Sequence, residues 1–562
     1  MVRMNKKRDF RWVILIFIVV FILMLRFFVD SRLYGHDTFF HTGSIINLSK
    51  TISWNNLLGN NLVSFTSNQF GYGTWFFYPK LPHLLGSYVY LIFKDIYFSM
   101  GIVYFITTFL SGVMMYFLSK KLFSCPRVAF LSSLIYLTFS YHLCEIYTRD
   151  AYAENFMFFV VPMIFFGLYE LKDGNYNRFY FLFTLGYVIG MYSHLVSMLF
   201  CTIFVFLFLL YYRKYFFCKS KIKSLLISTL IVIGMACPFI FSVLEYKIYE
   251  DYIVFSDFFS NKNTVLFNIL PVNSYFIHDK EFNHNNILVY LNYSTIVLFG
   301  TTFILFLLKK NRRSFLETRK FLLRAMLGII LFISSTSFWE YLPKFLSMIQ
   351  FSWRLTIFLG CIVSLYAPLV FYNIKKKKKI YYFIYSFLVV IMIGEGINNI
   401  CYYGEKEYSS DEINESSAVM GWQFEYLPLS VINMSSWHYG DYLENREYKF
   451  LFSDSFVEVK VLNDKFPMIQ FEVEDIDKSF EIEIPRIYYR GYELCDQDGN
   501  IIPIYQTESG FLGTELFKDG IYTLKYVGTI GVQICKIVRV ITYLVIFIFG
   551  GRVLWNKRKL QF

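Results

Sequence analysis

The sequence predicts a polytopic α-helical membrane protein of about twelve spans, with a β-rich domain before its last helix. Hydrophobic residues make up 56% of the 562 residues, and charged residues make up 17%. Soluble domains reach an apolar share of roughly 45–50% only when glycine is counted. A soluble chain of this composition could not cover its surface with polar groups. The composition therefore excludes an ordinary soluble enzyme and a disordered chain.

Twelve stretches are apolar and long enough for a membrane helix, which takes about 20 residues. They are residues 11–29, 98–118, 128–144, 155–171, 179–195, 196–212, 224–244, 287–308, 320–337, 354–373, 380–398 and 534–555. A basic segment precedes the first stretch and no small-residue cleavage site follows it. We therefore interpret it as a retained helix rather than a signal peptide.

Clusters of lysine and arginine determine the predicted orientation, because positive residues near span ends stay in the cytoplasm. With twelve spans, every cluster falls on one side, provided that the apolar stretch 81–93 does not cross. A stretch of this length suits a re-entrant or interfacial helix. We expect a plasma-membrane protein with both termini in the cytoplasm. The net charge of +12 then orients helices and does not indicate a nucleic-acid partner.

The predicted domains are a membrane domain at 1–399, a β-rich domain outside the cytoplasm at 400–533, and a final helix with a cytoplasmic tail at 534–562. A long outer loop, 30–97, follows the first span. Apolar and polar residues alternate within 400–533, which is typical of strands. This segment holds 24 acidic and 10 basic residues, a net charge of −14. Cys401 and Cys495 lie in it, which leaves a disulfide open.

The first outer loop begins with Gly35-His36-Asp37-Thr-Phe-Phe-His41. If a helix begins near Asp37, then Asp37 and His41 share one face at i, i+4. Asp37 is then a candidate general base or metal ligand at the membrane surface. A carboxylate at this position also caps a helix. Residue types alone leave both interpretations open.

Charged residues of two later loops are further candidates. Asp150 and Glu154, on a shared helix face, could hold a divalent cation such as Mg²⁺ or Mn²⁺, and Arg149 could bind a phosphate. The alternative is a solvated loop with its own ion pair. Arg354, at the outer end of the tenth span, either anchors the helix or binds a lipid phosphate. His194 lies at the outer turn between the fifth and sixth spans.

The sequence contains no P-loop, no Rossmann glycine pattern and no G-x-S-x-G motif. A nucleotide-driven reaction inside the cell therefore lacks a domain to host it. Chemistry on the outer face needs an energised substrate that a lipid delivers, because nucleotides are absent there.

Six short motifs follow one another along the chain. They are Gly35-His-Asp37-x-x-Phe40-His41, Phe77-Tyr-Pro79, Arg149 with Glu154, Ser193-His194, Gln350-Phe-x-Trp353-Arg354 and Glu425-Tyr-Leu-Pro428. In this order they resemble the GT-C membrane glycosyltransferases. More closely, they resemble the bacterial YfhO-like and 6-pyruvoyl-tetrahydropterin-synthase-related integral membrane proteins. The sequence departs from the pattern in three places. Gly43 and Ser44 replace an arginine, Asp150 replaces the more usual glycine, and Ser352 replaces a proline.

The resemblance implies a GT-C-like fold and a transferase that takes a sugar from a polyprenyl-phosphate carrier. Asp37 would deprotonate the acceptor hydroxyl, and attack in line would invert the anomeric carbon. Arg149 and Arg354 would stabilise the departing phosphate. Other residues would orient substrate, acceptor or metal. The substrate-binding set is His36, His41, Arg149, His194, Arg354, Glu425 and Tyr426, and the metal pair is Asp150 and Glu154.

Three functions remain open at this stage. The first is a glycosyltransferase that modifies a cell-envelope polymer or glycolipid on the outer face. The second is a transporter or flippase for a lipid-linked saccharide. The third is a non-catalytic envelope assembly factor that binds through 400–533. The expected partners are a polyprenyl-phosphate-linked sugar, a glycopolymer or glycolipid acceptor, and membrane lipids.

Overall fold

A computed structural model describes most of the chain. The described residues are 6–29, 35–62, 70–249, 252–255, 290–307, 316–335, 339–341, 351–373, 379–403, 425–433, 443, 446–452, 458–474, 476 and 479–559. They belong to two compact units. The first comprises 1–38, 79–232 and 261–412, and the second comprises 39–78, 233–260 and 413–562.

Helices make up most of the described residues. In chain order they are α1 (Lys6–Met24), α2 (Arg26–Val29), α3 (Thr38–Thr51), α4 (Thr74–Phe77), α5 (Leu81–Phe93), α6 (Ile96–Phe123), α7 (Pro126–Leu137), α8 (Ser140–Tyr147), α9 (Met157–Lys172), α10 (Tyr176–Phe179), α11 (Leu185–Met191), α12 (Leu195–Tyr211), α13 (Arg213–Phe216), α14 (Lys219–Tyr249), α15 (Tyr293–Leu307), α16 (Leu316–Ser334), α17 (Thr356–Tyr366), α18 (Val370–Asn373), α19 (Lys379–Tyr403), α20 (Leu429–Asn433) and α21 (Ile530–Lys559). A 3₁₀ turn, Glu154–Phe156, leads into α9.

The core of the first unit forms where α6 packs against α1, α7 and α9. Gly112 of α6 allows the close approach. An added Cβ would lie 2.8 Å from Ile16 and 2.9 Å from Leu137. At the end of α7 the chain bends by 43° into α8. α8 then ends at Tyr147 and leads into the loop that carries Arg149.

The polytopic helical membrane fold is confirmed. Among the described residues, six helices are long and apolar enough to cross a membrane, and the bent α7–α8 pair makes a seventh when counted as one span. Each of the twelve predicted segments contains helical residues. Several of these helices are short or interrupted, so the count of twelve is not confirmed. α5 has 13 residues, the length expected of the stretch 81–93, and its re-entrant placement stays a prediction.

The predicted β-rich domain before the last helix is also confirmed. Its strands are β1 (Leu451–Phe452), β2 (Glu458–Lys465), β3 (Met468–Glu474), β4 (Phe480–Ile487), β5 (Tyr492–Cys495), β6 (Ile501–Ile502), β7 (Ile504–Gln506), β8 (Phe511–Leu516) and β9 (Gly520–Tyr526). They form two antiparallel sheets with the orders β2-β3-β9-β5-β6 and β1-β4-β8-β7. Ile469, Phe471 and Val473 of β3 are buried and alternate with less buried polar residues, as the sequence pattern predicts.

The predicted domain boundaries at 399/400 and 533/534 stay a prediction, since the two compact units are discontinuous in sequence. The described strands all lie within 400–533. Cys495 carries a free thiol. The side chain of Cys401, its partner in the disulfide considered above, lies outside the described residues.

Candidate functional site

Two loops that are distant in sequence meet through their backbones in the first unit. The amide of His36 donates to the carbonyl of Thr148 at 3.0 Å, and the amide of Asp37 donates to the carbonyl of Arg149 at 2.9 Å. The first loop ends where α3 begins, and the second loop begins where α8 ends. This pairing brings the first two charged motifs of the sequence into one site.

Gly35 and Asp150 form the tightest contact of this pairing. An added Cβ on Gly35 would lie 2.6 Å from both the Cβ and the amide nitrogen of Asp150. Asp150 itself has a φ of +53°, in the left-handed region that favours glycine and tolerates aspartate. This backbone explains why the resemblance leads one to expect glycine at residue 150.

Each oxygen of the Asp150 carboxylate accepts a hydrogen bond from a hydroxyl group. Thr38 Oγ1 donates to one oxygen at 2.6 Å, and the Tyr104 hydroxyl donates to the other at 2.5 Å. Burial raises the pKa of the Asp150 carboxyl to about 6. Asp150 therefore ties its loop to Thr38 and to Tyr104 of α6.

Arg149 is the centre of a buried group of alternating charges. Its Nη1 donates to Glu145 Oε1 at 2.6 Å and to Glu154 Oε2 at 3.1 Å. Arg354 Nε lies 3.4 Å from the same oxygen of Glu154. All four side chains are buried, and buried charges persist only when paired and hydrogen-bonded. The two arginines and two glutamates balance each other.

Asp37 adds a fifth charge, and it is the only one of the five that is open to solvent. Its side chain is 46% exposed, and Oδ2 lies 3.9 Å from Arg149 Nη2. That distance is too long for a hydrogen bond. Desolvation by the surrounding protein raises the pKa of Asp37, whereas Arg149 and Arg354 act to lower it. Asp37 directly precedes α3, so its position suits a capping role as well as a catalytic one.

His194 joins this group through Ser197. It immediately precedes α12, and its Nδ1 accepts from the Ser197 amide at 3.3 Å and lies 2.9 Å from Ser197 Oγ. Ser197 Oγ in turn donates to Glu154 Oε1 at 3.4 Å. The site thus contains Asp37, Arg149, Glu154, Arg354 and, one hydroxyl away, His194.

The remaining predicted residues have other surroundings. His36 is exposed and belongs to the loop pairing through its backbone. His41 lies in the second unit, is buried in α3, and packs its ring edge-on at 5.1 Å from Phe40.

Glu425 and Tyr426 also lie in the second unit. The Tyr426 ring is buried and stacks on Phe77 at 5.2 Å, and its amide donates to the Tyr72 hydroxyl at 3.1 Å. Tyr426 is therefore part of an aromatic core. Glu425 is half-buried in the turn before it.

The predicted shared helix face of Asp150 and Glu154 is wrong. Residues 150–153 are not helical, and the positive φ of Asp150 turns the chain there. Both carboxylates already accept hydrogen bonds or ion pairs from protein groups, so the pair does not fit a divalent cation. No cluster of three or more His, Cys, Asp or Glu suited to a metal occurs in the described part of the chain.

Glu145, Tyr104 and Ser197 also contact the site, although none of the sequence motifs contains them. Glu145 stands four residues before Arg149, and this i, i+4 spacing is a signal that could have identified it. Tyr104 and Ser197 lie in apolar helices, where one tyrosine or serine among many carries no local signal.

Comparisons with known proteins support part of the expected identity. Residues 75–278 match the family model of the 6-pyruvoyl-tetrahydropterin synthase related domain, a membrane protein. The expected resemblance is confirmed over this range, and the chain is a membrane protein. No curated protein matches the sequence.

The structure is similar to two crystal structures of the Archaeoglobus fulgidus oligosaccharyltransferase. With the form tethered to an acceptor peptide, it shares 12% identity at a TM-score of 0.42, over 72% of this chain and 56% of that chain. With the apo form, it shares 11% identity at a TM-score of 0.40, over 80% of this chain and 61% of that chain. The chain therefore covers less than two thirds of the length of these proteins.

Proposed function

We propose that the chain is a membrane glycosyltransferase that moves a sugar from a polyprenyl-phosphate carrier to a hydroxyl group on the outer face of the plasma membrane. The observation that carries the proposal is the half-exposed carboxylate of Asp37, which lies beside the buried guanidinium of Arg149. A base beside a phosphate-binding cation is what glycosyl transfer from a lipid phosphate requires.

Asp37 supplies the base. Its carboxylate is accessible and makes no hydrogen bond to Arg149, so it is able to accept the proton of an acceptor hydroxyl. The raised pKa of Asp37 makes it a stronger base than an ordinary aspartate. The hydroxyl oxygen then attacks the anomeric carbon as the bond from that carbon to the phosphate oxygen breaks. Attack from the opposite face inverts the configuration.

Arg149 and Arg354 supply guanidinium N–H donors for the departing phosphate, which takes the electron pair of the broken bond. Nη1 of Arg149 makes both glutamate contacts, whereas Nη2 lies on the side of Asp37. The glutamates thus hold the guanidinium in one orientation before the substrate arrives. Preorganised charge of this kind is the largest single contribution in many enzymes.

The acceptor is a cell-envelope polymer or a glycolipid, and the outer β-rich domain is its candidate binding region. The net charge of −14 in 400–533 disfavours an anionic polymer there unless cations bridge the two. A neutral or cationic acceptor fits this surface better.

The test replaces Asp37 with asparagine in cells that lack the native gene. We expect transfer to fall by about a hundred- to ten-thousandfold, the usual contribution of a general base, with lipid-linked sugar accumulating on the outer face. The matched control is Asp95→Asn, because Asp95 is an exposed helix cap in the same predicted loop and asparagine caps equally well.

The readout is the sugar composition of the envelope together with the sidedness of the lipid-linked sugar. Accumulation on the inner face would indicate a flippase instead. Unchanged envelope glycan in the Asp37→Asn variant would refute the catalytic role. An assembly factor would tolerate this substitution and fail only when 400–533 is deleted.

A further inference from the structure

Arg319, in the first turn of α16, is a buried cation without a hydrogen-bond partner on two of its nitrogens. The residue is 2% exposed, and among the described residues its Nε and Nη1 have no acceptor. A buried guanidinium normally pairs with a carboxylate or extends to water. Nε and Nη1 of Arg319 do neither in the described part of the chain, so two donors of the side chain lack an acceptor there.

Glu317, the carboxylate nearest to Arg319 in sequence, pairs with other residues. Glu317 Oε1 lies 3.1 Å from Lys214 Nζ, and its Oε2 accepts from the Tyr215 hydroxyl at 3.1 Å. Residues two apart on a helix face in different directions. Glu317 is also the only acidic residue in the sequence stretches 308–334 and 356–386. These two stretches of sequence thus supply no other carboxylate for Arg319.

A second donor without an acceptor lies close by. Tyr366 is buried at the end of α17, which packs against α16, and its hydroxyl has no hydrogen-bond partner in the part of the chain that the structure describes. Tyr366 and Arg319 are close enough to interact electrostatically. Nearly all buried polar groups in native proteins are hydrogen-bonded. Two neighbouring donors without acceptors indicate a place for an anion rich in oxygen atoms.

Basic residues on α16 and in the neighbouring stretches of sequence favour a phosphate group from a membrane lipid. Exposed Lys320 and Arg324 follow Arg319 on α16, and the sequence is strongly basic at 309–313 and 375–379. Lipid phosphates are the abundant anions at a bilayer surface, and a guanidinium binds them through paired hydrogen bonds. We propose that Arg319 and Tyr366 bind the phosphate of a membrane lipid, at a site separate from that of Asp37. This proposal does not depend on the glycosyltransferase activity.

Two sources of this phosphate are distinguishable by experiment. Purified full-length protein, stripped of lipid in detergent, is titrated with phosphatidylglycerol, with a polyprenyl monophosphate and with diacylglycerol, and occupancy is measured by native mass spectrometry. We expect either phosphate lipid to bind about tenfold or more tightly than diacylglycerol, which lacks the phosphate. The tighter of the two identifies the source. Equal binding of all three lipids would overturn the proposal.

Variants assign the binding to these residues. Arg319→Gln is expected to weaken phosphate-lipid binding by about tenfold or more, and the matched control Arg324→Gln, an exposed arginine of the same helix, by less than about twofold. Tyr366→Phe keeps the ring, removes only the hydroxyl, and is expected to cost roughly threefold to tenfold. If Arg319→Gln does not fold, Tyr366→Phe alone tests whether these residues bind the phosphate. The assignment would be contradicted if Tyr366→Phe and a folded Arg319→Gln both bound phosphate lipid as wild type does. It would also be contradicted if Arg319→Gln and Arg324→Gln lost binding equally.

Discussion

Replacing Gly35 with alanine tests whether the pairing of the two loops sets the catalytic geometry. The new Cβ would lie 2.6 Å from the Cβ and amide nitrogen of Asp150 and 2.8 Å from the carbonyl carbon of Arg149. Two of these atoms are backbone, so the loop itself must move. Overpacking of this kind costs about 1–3 kcal/mol. Weakening the two backbone hydrogen bonds of His36 and Asp37 adds about 0.5–1.5 kcal/mol each.

The effect on transfer is expected to exceed the effect on stability. A contact of 2.6 Å must open to at least about 3.4 Å, so Asp37 shifts by nearly an ångström relative to Arg149. Misplacement of about 1 Å costs an enzyme about a hundredfold in rate. The assays are thermal unfolding of the purified protein and transfer of the lipid-linked sugar in reconstituted membranes.

Gly300→Ala is the matched control. Gly300 lies within α15, and an added Cβ there meets no atom within 4 Å. Alanine in a helix is favoured over glycine by about 0.5–1 kcal/mol, so this variant should be as stable as wild type or more so. If Gly35→Ala retained wild-type transfer and stability, the loop pairing would not determine the geometry of the site.

Three further substitutions or conditions test the charges around Asp37. Glu145→Gln removes a fully buried carboxylate 2.6 Å from Arg149. Breaking such a pair should cost about 3–5 kcal/mol of folding free energy in thermal unfolding, whereas the exposed Glu474→Gln should cost less than about 0.5. Arg354→Lys keeps the charge but loses the planar pair of guanidinium donors. The KM for the lipid-linked donor should therefore rise about tenfold in a transfer assay. An unchanged KM would show that Arg354 does not bind the phosphate. Because the pKa of Asp37 is raised, its base form is lost as the pH falls through a value above that of an ordinary aspartate. The pH profile of kcat/KM should therefore show an acidic limb that disappears in Asp37→Asn, and a limb that persists there belongs to another group.

Hydropathy and alternation predicted the architecture because they depend on local sequence. Each membrane helix satisfies its backbone hydrogen bonds within its own segment, so an apolar stretch of sequence is enough to predict the helix. The strands of the outer domain follow from the two-residue repeat of Ile469, Phe471 and Val473. Helix ends were less predictable, because the bend after α7 depends on packing between helices.

The site was only partly predictable, for a physical reason. Asp37 and Arg149 could be identified from the sequence because charged residues beside membrane spans are rare and costly to bury. Their proximity depends on backbone hydrogen bonds between loops more than a hundred residues apart. The turn at Asp150 is stabilised by Thr38 and Tyr104, neither of which a local pattern connects to it.

The role of Arg149 in both the backbone pairing and the charge group has a consequence for motion. Its carbonyl holds the amide of Asp37, while its guanidinium faces the carboxylate of the same residue. A displacement of the 148–153 loop that keeps both backbone hydrogen bonds therefore carries the proposed proton acceptor and the proposed phosphate-binding cation together, whereas one that breaks them, as expected for Gly35→Ala, moves the two apart. In the first case, Asp37 and the guanidinium of Arg149 move as one unit rather than independently. A substrate that shifts this loop while the pairing holds would therefore move the proposed base and the proposed phosphate site in a single step.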